Sequence, residues 1–138
     1  MRIITEQCIK VLRAASTLSS QRHLPMMAIS LSVRDKVIVH GDIARWLLWG
    51  NSIVRYDGHG ILLSDCGYHT TTTAERLNGL LEAFSIRTHD GDRIYYSVSC
   101  GFYVWKERPA KNNKNKTVKF RQVIAESNLI ITSDCFNK

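Results

Sequence analysis

Residues 60–81 read GILLSDCGYHTTTTAERLNGLL, and how this run is divided decides the fold. Ile61, Leu62 and Leu63 form a short apolar run behind the turn-rich YDGHG, as a buried strand does. Leu77, Leu80, Leu81 and Phe84 recur instead at helical spacing. Between the two, Gly67 permits a sharp turn, and the threonines supply hydroxyls for the free N–H groups at a helix start. Thr72 and Glu75 make a T-x-x-E capping box, which predicts a helix over 73–84. Gly79 disfavours helix by about 1 kcal/mol relative to Ala, and a close approach of this helix to a sheet explains its presence. A strand turning directly into a helix that packs back on the same sheet implies an α+β fold.

Upstream, MAISLSV, KVIVHGD, IARWLLW and SIVRY are apolar runs separated by turn residues, the pattern of an antiparallel meander. Asp57-Gly58 is a hairpin signal, because tight turns matching strand twist need positive φ. Nearer the N-terminus, Ile4, Cys8, Leu12 and Ala15 share a stripe that Glu6, Lys10 and Arg13 avoid, which predicts an amphipathic helix over 5–18 with Thr5 as its N-cap. Downstream, Arg93, Tyr95 and Ser97 alternate with Ile94, Tyr96 and Val98, as in a half-buried strand, and Gly101 marks a turn or bulge. The expected architecture is an antiparallel β-sheet of five to seven strands with one capped helix packed on it and an N-terminal amphipathic helix. Residues 1–138 read as a single domain.

The 60–81 run also resembles small proteins encoded by bacteriophages and prophages. In those, a strand ending in LS, a Gly-aromatic pair, a Thr-rich turn and R-L-N opening a helix occur together. The matching residues here are Leu63, Ser64, Gly67, Tyr68, Thr70, Thr72, Thr73, Arg76, Leu77 and Asn78, and GFYVW at 101–105 is similar to the closing strand. The resemblance spans about 38–105 and leaves the first helix and everything after Glu107 outside it. It implies a phage product acting in the cytoplasm of the host bacterium, and no assigned activity.

Charge is concentrated elsewhere. Residues 106–121, KERPAKNNKNKTVKFR, hold Lys106, Arg108, Lys111, Lys114, Lys116, Lys119 and Arg121 against Glu107 alone, and so carry +6 of the formal +7. With Pro109 and three Asn, the segment reads as a long basic loop between two strands. Lys and Arg neutralise phosphates and release counterions. Asn112, Asn113 and Asn115 can meet phosphates or base edges. Tyr103, Trp105 and Phe120 offer stacking surfaces if they face outward. Nucleic acid, DNA or RNA, or a nucleoprotein complex is therefore the first expected partner of this loop. The alternative is an acidic protein surface on a host enzyme or defence complex, with Trp46, Trp49 and Trp105 as anchors. A basic loop that merely connects strands is the bland alternative to both.

Arg76 and Asn78 are least explained by packing. A cation in the first turns of a helix opposes the helix dipole, so Arg76 either pairs with Asp65 or Glu75 or touches a partner. Arg76, Asn78 and Trp105 are thus additional candidate contacts.

Other classes lack a signature. There is no HExxH, GxSxG, Walker loop or dinucleotide fingerprint, so no catalytic residue is assigned and a non-enzymatic protein is expected. The five histidines fall mostly beside Gly or at strand ends. The four cysteines, Cys8, Cys66, Cys100 and Cys135, are too dispersed for a zinc ribbon. Only Cys66 and His69 form a C-x-x-H pair, half of a zinc site at most, and no cofactor or metal is expected. Glu6, Lys10 and Arg13 argue against a secretory leader, and no apolar run approaches the roughly 20 residues of a membrane span, so no membrane partner is expected.

Overall fold

The computed structural model describes residues 3–18, 27–41, 43–57 and 60–132. Two helices, α1 (Ile3–Leu18) and α2 (Thr71–Ala83), accompany nine strands: β1 (Met27–Ser30), β2 (Asp35–His40), β3 (Ile43–Leu48), β4 (Asn51–Tyr56), β5 (Gly60–Ser64), β6 (Tyr95–Ser97), β7 (Gly101–Ala110), β8 (Asn113–Ala125) and β9 (Asn128–Thr132). The fold is α+β, as expected. An antiparallel six-stranded sheet runs β1-β2-β3-β4-β5-β9, and β6-β7-β8 make a second, three-stranded antiparallel sheet.

Alternation sets the core. Val37 and Val39 on β2, and Ala44, Trp46 and Leu48 on β3, turn to one face, where Cys8, Ile9 and Leu12 of α1 and Leu77, Leu80 and Leu81 of α2 meet them. A register shift beside Trp46 lets both Ile53 and Val54 of β4 be buried, which strict alternation forbids. Ile94, Tyr96, Phe102 and Val104 carry the same core under the small sheet.

Both helix starts differ from the sequence-based expectation. The N-cap of α2 is Thr70, whose hydroxyl accepts from the Thr73 N–H at 3.2 Å, so the helix begins two residues before the predicted one. Glu75 does not close a capping box because it is drawn to Thr5 at 2.5 Å and to Arg76 at 2.7 Å. Thr5 lies inside α1 and is fully buried, not a cap. It donates to Glu75 and accepts from Arg76 at 3.1 Å, which joins the two helices.

The larger correction concerns 106–121, which is not a loop. It is the outer part of the β7–β8 hairpin, turning at residues 110–113, with Lys106 opposite Phe120, Arg108 opposite Val118 and Trp105 opposite Arg121. Its polar composition fitted a solvated connector. Yet a two-stranded ribbon satisfies its own backbone groups across the ladder and can carry polar side chains on both faces.

Candidate nucleic-acid interface

The hairpin continues a strand that begins in the core. Gly101 opens β7 at φ +87°, and a Cβ there would collide with the carbonyl oxygens of Ala125 and Glu126. Only glycine allows this close approach of the two strands. From Phe102 to Val104 the strand is buried; from Trp105 to Pro109 it is exposed apart from a half-buried Lys106. The ribbon thus leaves the core where its composition turns basic.

Near the tip, Ala110 pairs with Asn113 but Pro109 pairs with Thr117, so residues 114–116 bulge from the ladder. Lys111 and Lys116 are exposed there, and Lys114 belongs to the same bulge. Farther down, the cations divide between faces. Lys106 and Arg108 lie on one, with the Arg108 guanidinium 5.3 Å from the Phe120 ring centroid. Lys119 and Arg121 lie on the other, with Lys119 directly opposite Glu107. Lys106 is partly committed: its ammonium donates to Asp92 Oδ2 at 2.5 Å, and this bond holds its pKa above the usual lysine value. The structure therefore gathers all seven predicted basic residues on one ribbon, without giving them equal freedom.

The second face carries a ladder of rings. Tyr95 of β6 stacks on Tyr103 of β7, with centroids 5.7 Å apart, and Tyr103 meets Trp105 edge-on at 5.7 Å. Arg121 lies over both Tyr103 (4.6 Å) and Trp105 (5.4 Å) and donates to Ser97 Oγ at 3.3 Å. Arg93 covers Tyr95 at 5.1 Å. A cleft of about 500 Å³ opens beside this ladder, lined by Asp92, Arg93, Tyr95, Trp105 and Lys119. Sequence reasoning named Trp105 as a candidate contact but missed Arg93 and Tyr95. Their alternation was visible, and only the register through the turn before Gly101 reveals that they share a face with Trp105.

Two other candidate contacts are engaged inside the fold. Arg76 is 2% exposed. Its guanidinium grips Asp35 with two bonds, Nε to Oδ1 at 2.9 Å and Nη2 to Oδ2 at 3.0 Å, and also holds Glu75. Of the two acids expected for it, Glu75 is a partner and Asp65 is not. Asn78 spends its amide on the Tyr96 backbone, donating to the carbonyl and accepting from the N–H, both at 2.8 Å. Both residues hold the fold. Trp46, expected among the exposed anchors, is fully buried, its indole donating to Asp35 Oδ1 at 3.0 Å.

The other acid cluster also ties elements together. The buried Asp65 accepts from Gly67 N–H at 2.9 Å, Tyr96 Oη at 2.7 Å and the Ser127 hydroxyl, and its Oδ2 lies 3.2 Å from His69 Nδ1. Burial pushes its pKa up, but the bonds from Ser127, Tyr96 and Gly67 outweigh that and hold it below the ordinary carboxylate value. Burial and the Asp65 carboxylate raise the Tyr96 phenol. Cys66 and His69 diverge: the Cys66 thiol donates to the Ser52 carbonyl at 3.1 Å while His69 pairs with Asp65. Among the described residues no group of three or more His, Cys, Asp or Glu is placed to hold a metal ion. Cys135, His23 and His59 lie outside the described residues. No described helix is long and apolar enough to cross a membrane.

No curated protein and no solved structure matches the chain. The sequence profile of the family described as "Kyanoviridae Gp96 protein" matches residues 1–122. That match takes in the first helix and the whole basic segment, both of which the resemblance over 38–105 had left outside. With so much of its length matched, the chain belongs to the Kyanoviridae Gp96 family of phage proteins.

Proposed function

We propose that this phage protein binds nucleic acid, alone or within a nucleoprotein complex, through the basic ribbon of β7 and β8, and that its role there is binding without catalysis. The observation that carries this is the concentration of the chain's charge on one exposed hairpin. The seven cations of 106–121 supply nearly all the net charge, and the ribbon extends them away from the core. A two-stranded ribbon is one of the few elements that fits the major groove of a duplex, and it can equally lie along a single strand. Charge of this kind gives sequence-independent affinity of about 1 to 100 μM at physiological salt, by releasing counterions from the phosphates. We place the binding in the host cell, where a phage gene product meets both its own and the host's nucleic acids.

The test is anisotropy of labelled single- and double-stranded DNA and RNA at two salt concentrations, with the wild type beside the Lys111→Ala, Lys114→Ala, Lys116→Ala triple variant. Affinity that falls steeply with salt, and a salt slope lower by about 2 to 3 in the variant, supports the reading. An unchanged slope in the variant removes the tip lysines from it.

A protein target in the host is the second reading, favoured by Trp49, which is 63% exposed beside a cleft that also includes Tyr68 and Asn51. Exposed Trp is a frequent interface anchor. In that case charge reversal on the ribbon weakens one defined complex while bare DNA and RNA show no binding.

A further inference from the structure

We infer that the face of the small sheet bearing Tyr95, Tyr103 and Trp105 is a stacking site for unpaired nucleobases, so that the preferred ligand is single-stranded nucleic acid. This rests on the nucleic-acid reading above and narrows it to one class of strand.

The ribbon's two faces are chemically different. On one, Lys106 is tied to Asp92 and Arg108 lies over Phe120. On the other, three rings follow one another across β6 and β7, and Arg121 lies over two of them. Aromatic pairs across strands stabilise a sheet by themselves, and Tyr103, at 7% exposed, serves that purpose. Trp105 does more than that requires. It is 42% exposed and borders the open cleft, which Tyr95, Arg93, Lys119 and Asp92 also line, the Asp92 carboxylate being held by Lys106.

Each part of this arrangement suits one part of a nucleotide. A base stacks on an aromatic face, and an arginine already seated over the same rings adds a cationic plane. Lys119 and Arg93 are within the same cleft to meet the phosphates on either side of that base. The fixed ladder leaves Trp105 little rotamer freedom to lose on binding. In a duplex the base faces are stacked on one another and only their edges are open in the grooves, so such a site has nothing to grip until the strands part.

The first experiment uses the full chain with Trp49→Phe, which leaves Trp105 as the exposed indole beside the buried Trp46. Its fluorescence is followed against a thymidine oligonucleotide, an abasic oligonucleotide of equal length with the same phosphates, and a duplex. The expected result is quenching by the thymidine oligonucleotide, with binding about tenfold tighter than to the abasic strand. Trp105→Ala should abolish that preference while leaving the salt-dependent binding, and Trp105→Phe should keep part of it in an intact ladder. Equal affinity for base-bearing and abasic strands, without quenching, overturns the stacking site but leaves the phosphate reading standing. Tighter binding to the duplex overturns it as well. No binding to any of the three overturns both.

Discussion

Arg76 is the residue on which the interior turns. A guanidinium this deeply buried requires full hydrogen bonding, and Asp35, Glu75 and Thr5 provide it from β2, α2 and α1. Asp35 in turn accepts from the Trp46 indole and from Ser32 Oγ, the latter at 2.9 Å, so one carboxylate organises the β1–β2 turn and β3. Removing one partner strands the other charge. Arg76→Met should therefore lower stability by about 3 to 5 kcal/mol in urea denaturation. Acid should act through the same group. Burial pushes the Asp35 pKa up, but Arg76, Trp46 and Ser32 hold it below the usual carboxylate value, as the bonds to Asp65 hold that residue. Between the lower folded and the ordinary unfolded pKa the unfolded chain binds more protons. The stabilisation from these two acids is thus complete above about pH 4 and is lost as the pH falls below it. The melting temperature should drop in that window, and Asp65→Asn should make the drop shallower. Burial next to Asp35 also pushes the Cys8 thiol up to about 12, so thiol reagents at neutral pH should label Cys8 last of the described cysteines.

For the elements, caps and turns distinguish the structure from its sequence-based expectation. Thr70→Ala should destabilise by about 1 kcal/mol, because it removes the acceptor for the Thr73 N–H, and Thr72→Ala should change little. Thermal melts of the two variants would show which threonine caps α2; a loss at Thr72 with none at Thr70 would return the cap to Thr72. Gly101→Ala should destabilise by more than about 1 kcal/mol, since positive φ and the nearby carbonyls both oppose a Cβ. The α2 stripe and the meander were legible because apolar periodicity is local and strong. The capping residue was not, because four threonines in a row offer the same hydroxyl, and Glu75, which marked Thr72 in the sequence, bonds to Thr5 and Arg76 instead.

Across the whole molecule, stability and charge occupy different parts. The core lies between the two helices and the six-stranded sheet, while the β7–β8 ribbon leaves it beyond Val104. The triple Lys→Ala variant at 111, 114 and 116 should accordingly stay within about 0.5 kcal/mol of wild-type stability for each substitution, even where nucleic-acid binding is lost. A large loss of stability in that variant would place the tip against the body of the protein. The concentration of seven cations in 106–121 was legible from charge density alone, whereas the partners that Arg76 and Asn78 find inside the fold, Glu75 apart, were not. The type and helix position of these two residues are the same for a surface contact and for a buried tie.

The sequence by itself determined the α+β class, the two helices, the meander and the concentration of charge in 106–121, because each follows from periodicity, turn chemistry or composition within a short span. Only the tertiary structure decided that the charged segment is a β-ribbon, that Arg76 pairs with Asp35 forty-one residues away, and that Arg93, Tyr95, Trp105 and Arg121 share a face. These depend on strand register and on which elements meet, and long-range pairing leaves no local mark in the chain.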